Sequence, residues 1–280
     1  MLVLKKAFMA CRLFGNILGL YASFFLRNNK PRRLSAPESA DKPRNIVIVG
    51  ANFAGYHAAR IIAMDLPADS PYQVVVIEPN SHFNFTWVLP RFCVAEGHEH
   101  KAFIPYGPHL GGAPAKWIRD HVAEVGRETV VLGSGEEVPY EFLVIATGCG
   151  AGDGLPTRVG ATEKVEGTGL LKEIQRRVKS ADRLLVIGGG AAGVELAADA
   201  KSLYPEKKIT LVHSREAVMH RFGPELQAEA SKSLADLGVE VILGDRLAAE
   251  NDETGIATLK SGKTVEYDYI VRTASTPFPL

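Results

Sequence analysis

The chain has 280 residues, of which 46% are hydrophobic and 23% charged, and its 32 basic and 32 acidic side chains cancel. This length allows one large domain or two modest ones, and the absence of a basic patch with interleaved aromatic residues in the body argues against nucleic-acid binding. The three cysteines, Cys11, Cys93 and Cys149, are too widely spaced for a disulfide framework or for the close cysteine pair that disulfide reductases use.

The N-terminal segment differs in composition from the rest of the chain. All residues before Glu38 are uncharged or basic, so this segment carries about +7 and the remainder about −7. Leu2 to Leu26 is apolar, but its longest uncharged run is shorter than the roughly 20 residues of a membrane span. We expect a targeting segment or an interfacial anchor followed by a linker over residues 27–43. A disordered or core-packed extension is the alternative, with a cytoplasmic location.

The body begins with a strand, a glycine turn, a helix and a second strand. Ile46 to Val49 is a continuous β-branched run, typical of a buried parallel strand. Residues 54–64 are predicted to form a helix, and Tyr72 to Ile77 is predicted to form the second strand, which Glu78 follows directly. This order is that of a dinucleotide-binding βαβ unit. A tight turn without a ligand is the alternative.

Residues 50–55, the first glycine turn, are predicted to bind a pyrophosphate. Gly50 allows a tight bend, the first N–H groups of the helix attract an anion, and Gly55 lets the helix pack closely on the strands. Asn52 stands where a middle glycine is expected, and we expect it to be tolerated because asparagine adopts left-handed backbone more readily than most residues. Glu78 can accept hydrogen bonds from ribose hydroxyls. The predicted contacts are Gly50, Ala51, Asn52, Phe53, Ala54, Gly55 and Glu78.

A second unit of the same kind starts at Leu184. After a strand over residues 184–187, the second glycine turn (residues 188–193) has an unbroken Gly-x-Gly-x-x-Gly pattern made by Gly188, Gly190 and Gly193. A helix over 194–204 and a strand over 209–212 follow. That strand ends in His213, Ser214 and Arg215 instead of an acid. Ser214 and Arg215 could hold a 2′-phosphate, which favours NADPH or use of both nucleotides, and a solvated strand end is the alternative.

Two turns with unlike strand ends predict two different dinucleotides. A helix over 225–237, capped by Gly238, and a strand over 239–243 continue the second unit as βαβαβ. One reason to hold two dinucleotides is hydride transfer from a nicotinamide to a flavin. No metal site is predicted, because His98 and His100 have no third ligand at a suitable spacing.

Several local motifs resemble those of the pyridine nucleotide-disulfide oxidoreductase-like flavoproteins. Phe142-Leu-Val-Ile-Ala-Thr-Gly148 resembles their Ala-Thr-Gly signature, and Glu195, in Gly-Val-Glu-Leu-Ala, resembles the glutamate beside the nicotinamide. Pro90-Arg91 with Lys101 to Ile104 resembles a segment whose arginine contacts FAD, and Val122 falls where their chain passes the adenine. Within this group the chain is most similar to apoptosis-inducing-factor-like, mitochondrion-associated oxidoreductases, and more distantly to type II NADH dehydrogenases.

This resemblance implies a fold, two cofactors and an activity. The expected fold is α/β, with two Rossmann-like dinucleotide-binding domains. FAD would bind at the first turn and NAD(P)H at the second, with Arg91, Val122, Thr147 and Gly148 as further cofactor contacts and Glu195 as the catalytic residue. Electrons would pass from NAD(P)H through FAD to an acceptor, a quinone, at a membrane or in a mitochondrion. A surface arginine and a helix-dipole partner are the alternatives for Arg91 and Glu195.

The chain departs from the resembled family at its C-terminal end. Family members continue with a strand ending in Gly-Asp, whose aspartate binds the flavin, and then with an interface domain. Here Ser275 replaces the glycine of the last Ala-Thr-Gly-like strand, and the sequence ends at Leu280. We therefore expect a leader and linker over 1–43, part of an FAD-binding domain over 44–160, an NAD(P)-binding domain over 161–275 and a truncated end over 276–280. The alternative function is a truncated, non-catalytic form that binds NAD(P)H.

Overall fold

A computed structural model describes residues 44–67, 69–106, 115–148 and 159–273, together with Gly19. The predicted leader and linker otherwise lie outside the described residues, as do Cys11, Cys149, Ser275 and the C-terminal end. The contacts group the described residues into two units. The first unit contains residues 44–77 and 115–146, and the second contains residues 78–106, 147–148 and 159–273.

The described residues form five helices and sixteen strands, besides two short 3-10 turns. In chain order the elements are β1 (Arg44–Val49), α1 (Phe53–Asp65), β2 (Tyr72–Ile77), β3 (His82–Asn84), α2 (Leu89–Phe92), β4 (Phe103–Pro105), β5 (Ala115–Ile118), β6 (Val122–Val125), β7 (Thr129–Leu132), β8 (Glu137–Pro139), β9 (Phe142–Ile145), α3 (Lys164–Ser180), β10 (Arg183–Ile187), α4 (Ala191–Leu203), β11 (Lys208–Val212), α5 (Pro224–Leu237), β12 (Glu240–Ile242), β13 (Leu247–Asn251), β14 (Ile256–Leu259), β15 (Thr264–Glu266) and β16 (Tyr269–Arg272).

The first unit is built on a four-stranded parallel sheet in the order β5-β2-β1-β9. The β-branched runs of β1 and β2 are buried in its centre, because strands covered on both faces read as continuous apolar sequence. The antiparallel sheet β6-β7-β8 contributes Val130, Leu132 and Val138 to the same core. β9 lies at the edge of the parallel sheet, where 54% of Phe142 and 64% of Ile145 is exposed.

The second unit repeats this arrangement with a parallel sheet in the order β12-β11-β10-β16. The antiparallel sheet β13-β14-β15 packs its buried side chains with those of β10 and β11. The predicted α/β architecture with two Rossmann-like sheets is therefore confirmed. Among the described residues, none of the helices has both the length and the hydropathy that crossing a membrane requires.

A segment of the second unit, residues 82–105, packs on helix α3. The Phe103 ring is fully buried, and a Cβ placed on Gly167 of α3 would lie 2.9 Å from it. The buried side-chain amide of Gln175 donates hydrogen bonds from Nε2 to the carbonyls of Phe92 (2.8 Å) and Ala95 (3.0 Å). Helix α3 therefore fixes the backbone that directly follows Arg91.

Candidate nucleotide-binding sites

The first glycine turn has the close packing that its residue types predicted. Gly50 has a φ of +90°, and its N–H donates to the carbonyl of Ile77 at 2.9 Å. A Cβ on Gly55 would lie 1.8 Å from the Gly50 carbonyl oxygen and 3.1 Å from the Ala146 Cβ. No side chain other than hydrogen fits at Gly55 without displacing helix α1 from the turn.

The reason predicted for the tolerance of Asn52 is wrong. Asn52 is the residue before helix α1 and has φ −81° and ψ −156°, which is extended backbone and not left-handed. Gly190 holds the same place before α4 with φ −77° and ψ −175°, and a Cβ there would meet nothing within 4 Å. The position therefore needs no glycine for its backbone or for space, and asparagine fits it.

The second glycine turn repeats the first. Gly188 has a φ of +112°, its N–H donates to the carbonyl of Val212 at 2.8 Å, and a Cβ on Gly193 would lie 1.8 Å from the Gly188 carbonyl oxygen. Thr273, which follows β16, donates from Oγ1 to the Gly188 carbonyl at 2.9 Å and would lie 2.6 Å from the same Cβ. The turn is thus held from β16 as well as from β11.

Both turns lead into a helix whose N-cap makes no side-chain hydrogen bond. Neither α1 nor α4 has a side-chain hydrogen bond at its N-cap, and neither carries an acidic residue in its first turn. Such a helix end, with its positive dipole, favours a phosphate group. In addition, Asn52 Oδ1 is buried without a hydrogen-bond partner in the structure, and a buried acceptor of this kind is stabilised by a ligand that donates to it.

The residues predicted at the two strand ends have different surroundings. Glu78 is buried directly after β2, and its Oε1 accepts hydrogen bonds from the Asn80 N–H (2.8 Å) and Nδ2 (2.6 Å). Ser214 is half-buried and Arg215 is exposed just beyond β11. Because β10 and β11 are parallel, Ser214 and Arg215 lie at the same sheet edge as the second glycine turn.

Arg91 and Glu195, which the sequence placed in separate roles, are linked in the structure by Asp199. The Arg91 side chain is 57% exposed, and its Nη1 donates to Asp199 Oδ1 at 2.8 Å. Asp199 lies one helical turn after Glu195 on α4. Its second oxygen, Oδ2, is buried without a partner in the structure. The cluster therefore joins two carboxyl groups to one guanidinium.

Burial dominates the electrostatics of this cluster. It raises the pKa of Glu195, and the charge of Asp199 adds to this, whereas Arg91 acts in the opposite direction. Burial also raises the pKa of Asp199, although the charge and hydrogen bond of Arg91 lower it. Both carboxyl groups are consequently easier to protonate than an exposed carboxyl group.

The remaining predicted site residues lie on the first unit or next to it in the chain. Val122 begins β6 and is partly buried. Thr147 and Gly148 follow β9 and are exposed, and Gly148 has a φ of +69°.

Sequence reasoning missed four residues that shape the second unit, namely Gln175, Asp199, His213 as a partner of the turn, and Thr273. Only Thr273 carried a signal, because it lies in the last Ala-Thr-Gly-like strand.

The one cysteine among the described residues does not have the surroundings of a redox nucleophile. Cys93 is fully buried, and burial raises the pKa of its thiol far above the ordinary value. A reactive cysteine is instead partly exposed in electropositive surroundings that lower its pKa. The described residues also contain no group of three His, Cys, Asp or Glu side chains arranged to hold a metal ion.

The family model for pyridine nucleotide-disulphide oxidoreductases matches residues 44–274, which include both glycine turns. The chain belongs to this family. FAD and NAD(P)H are the family's cofactors. The two turns fit them, because in each a glycine packs directly against the backbone of the bend and the helix that follows has no side-chain hydrogen bond at its N-cap.

Curated relatives support the same assignment. The chain is 33% identical over 234 residues to Fe-regulated protein 8 of Mycosarcoma maydis, a match that covers 74% of this chain and 57% of that protein. It is 28% identical to apoptosis-inducing factor homolog A of Dictyostelium discoideum, covering 82% and 60% of the two chains. It is 29% identical to ferroptosis suppressor protein 1 of Xenopus tropicalis, covering 75% and 54%. The chain thus spans somewhat more than half the length of these relatives.

Solved structures share the fold. A ferredoxin reductase from Rhodopseudomonas palustris matches with a TM-score of 0.65 and 21% identity, over 82% of this chain and 58% of that one. An engineered water-forming NADPH oxidase bound to NADPH matches with a TM-score of 0.65 and 19% identity, over 82% and 54%. At these identities the similarity establishes the fold alone.

Proposed function

We propose that this chain acts in electron transfer from NAD(P)H through FAD to a quinone. The observation that carries the proposal is the repetition of one site in both units. Gly55 and Gly193 each approach the carbonyl oxygen of the first glycine of their turn so closely that a Cβ would lie 1.8 Å from it. A chain that preserves this packing twice is built to bind two dinucleotides.

The proposal gives each turn one of the two cofactors. We propose that residues 50–55 and Glu78 hold FAD and that residues 188–193 hold NAD(P)H, with the first N–H groups of α1 and α4 binding the pyrophosphates. When bound, FAD would supply the capacity to take up a hydride from NAD(P)H and to pass its electrons on singly or in pairs. Glu195 is half-buried and has a raised pKa, so it holds a proton more readily than an exposed glutamate.

The cysteines favour a quinone over a disulfide as the acceptor. Cys93 is separated from the other two by 82 and 56 residues, and its thiol is buried with a raised pKa. A disulfide substrate would need a second reactive thiol beside the flavin, and this sequence has no close cysteine pair. An electron acceptor that forms no covalent bond to the protein agrees with this arrangement.

Two further features belong to the proposal. Arg215 is exposed beside the second turn and no acid stands at the end of β11, which favours NADPH or use of both nucleotides over NADH alone. The apolar, basic segment before residue 38 would place the protein on a membrane or mitochondrial surface, where quinones are found.

A second candidate function is nucleotide binding without turnover. The exposed Phe142 and Ile145 leave the edge of the first sheet uncovered among the described residues, whereas the second glycine turn is secured from β11 and β16. An uncovered apolar strand edge is unfavourable in water. This contrast favours stable binding of NAD(P)H over stable binding of FAD.

Cofactor binding by three glycine variants tests the proposal. Gly55→Ala should lower FAD affinity by about tenfold or more, and Gly193→Ala should do the same for NAD(P)H, because the new Cβ would clash with backbone. Gly169→Ala is the matched control, since a Cβ there meets nothing within 4 Å. In the parent protein, anaerobic addition of NAD(P)H should bleach the flavin absorbance and a quinone should restore it.

Each outcome of this test has a definite meaning. A folded protein that binds NAD(P)H but not FAD would support the second candidate and refute electron transfer. A protein that binds neither cofactor would refute both. A reduced flavin that is reoxidised by a disulfide but not by any quinone would refute the proposed acceptor.

A further inference from the structure

Gly189, inside the second glycine turn, is held by hydrogen bonds on both of its peptide groups. Its N–H donates to Nδ1 of His213 at 3.0 Å, and its carbonyl accepts a hydrogen bond from the Met219 N–H at 2.7 Å. Met219 has a φ of +54°, which is unfavourable for a residue with a side chain and persists only where the surroundings enforce it. The loop after β11 is thereby tied to the turn at two points.

The hydrogen bonds of His213 require one protonation state. Because Nδ1 accepts from the Gly189 N–H, it carries no proton, so the neutral ring carries its proton on Nε2. Nε2 lies 3.3 Å from Nδ1 of His220, which can accept that proton's hydrogen bond. His213 is only 7% exposed, and its backbone is fixed by the carbonyl of Ile242 at 2.8 Å.

The ring is also packed tightly against the turn. A Cβ on Gly189 would lie 2.8 to 3.0 Å from Cγ, Cβ and Cδ2 of His213. Gly190, the next residue, is the N-cap of α4. The two peptide groups of Gly189, which His213 and Met219 hold in place, therefore lead directly into the start of α4. The N–H groups there are the anion-binding part of the turn.

We propose that His213 is a positioning residue for the nicotinamide nucleotide, whose neutral ring holds the second glycine turn in its binding conformation and whose protonation releases it. The inference rests on the proposed assignment of NAD(P)H to this turn. A proton on Nδ1 would face the Gly189 N–H, so two donors would meet at 3.0 Å where a donor and an acceptor now pair. The turn must then move, and the nucleotide loses a preformed site.

The groups around His213 keep its ring neutral at physiological pH. Burial, His220 and Arg215 together lower the pKa of His213 below the ordinary 6.5. No carboxylate contributes to this shift in pKa. Of the acidic residues nearest in the chain, Asp245 hydrogen-bonds to Ser261, and Oε1 of Glu216 lies 2.9 Å from the place that a Cβ on Gly244 would take. Binding should therefore be unaffected at neutral pH and weaken as the pH falls below about 6.5 towards the lowered pKa.

NAD⁺ binding to the full chain between about pH 8 and pH 5 tests this. NAD⁺ is stable in acid and has no 2′-phosphate of its own to titrate in this range. Below the pKa of His213, the dissociation constant of the parent protein should rise by about tenfold for each pH unit, in proportion to the loss of the competent form. His213→Asn places Oδ1 where Nδ1 was but cannot gain a proton there, so its dissociation constant should stay level from neutral pH into acid.

Two other variants separate the role of the acceptor from that of the ring. His213→Leu removes the acceptor and should weaken binding by about tenfold or more at every pH. His220→Gln keeps an acceptor for Nε2 but cannot titrate, and it should retain the acid slope of the parent. Circular dichroism at each pH checks that every variant is folded.

Nuclear magnetic resonance supplies a readout that does not depend on binding. In the free protein, the amide proton of Gly189 should shift with the same midpoint as the His213 ring, and this shift should vanish in His213→Asn. An acid slope that persists in His213→Asn, undiminished binding by His213→Leu, or parent binding that stays level below the midpoint measured for the His213 ring would each overturn the inference. A parent protein that does not bind NAD⁺ at neutral pH would instead refute the nucleotide assignment itself, and this inference with it.

Discussion

Replacement of Gln175 should loosen the segment that carries Arg91. Gln175 is 4% exposed on α3, and a single nitrogen, Nε2, donates to the carbonyls of Phe92 and Ala95. Gln175→Met preserves the length and approximate volume of the side chain but removes the donor. The Phe92 carbonyl is left buried without a partner, and the partly buried Ala95 carbonyl loses one. Since an unsatisfied buried acceptor costs about 1–3 kcal/mol, we expect a loss of roughly 2–4 kcal/mol in the free energy of unfolding.

Urea unfolding and amide hydrogen exchange would measure this loss. The amide of Ala95, which donates to the Arg91 carbonyl at 2.8 Å, should exchange faster in Gln175→Met if the segment opens locally. Gln227→Met is the matched control, because its Nε2 also donates to a carbonyl, that of Phe222 at 2.7 Å, but at an exposed site. Water can replace that bond, so the control should change the unfolding free energy by no more than about 0.5 kcal/mol. Equal losses in the two variants would refute the reasoning.

Three further substitutions test the second unit. Asp199→Asn leaves an oxygen to which Arg91 can donate, but it removes a carboxyl group whose pKa is raised above 3.8 in the folded protein. The unfolding free energy of the parent should therefore fall relative to that of the variant as the pH rises above 3.8. Urea titrations at several pH values check this, and parallel pH curves would contradict it. Gly167→Ala should cost about 1–3 kcal/mol because its Cβ would press on the buried Phe103 ring, whereas Gly169→Ala on the same helix should stabilise by up to about 1 kcal/mol. Thermal melts that rank these two variants in the opposite order would count against the packing described for residues 82–105.

Local sequence predicted the elements that depend on local chemistry. The β-branched run of β2 was placed at its observed bounds, Tyr72–Ile77, and the end of α5 at Leu237 followed from Gly238, whose φ is +82°. Helix α4 starts at Ala191, three residues before its predicted start, because its first turn is glycine- and alanine-rich and carries no helix-start signal beyond the turn itself. For Asn52 the residue was tolerated as predicted, but for a different reason, since its backbone is extended.

The amino-acid sequence alone predicted the pair of βαβ units, the place of each glycine turn and the family that these motifs indicate. They follow from chirality, glycine packing and apolar periodicity, which act over a few residues. Only the tertiary structure brought Arg91 to Asp199, 108 residues away, and the His213 ring to Gly189, 24 residues away. Such contacts depend on which helix faces and loop ends meet when the sheets are covered. No local sequence pattern predicts these contacts, because the partner of a side chain depends on the packing of the whole unit.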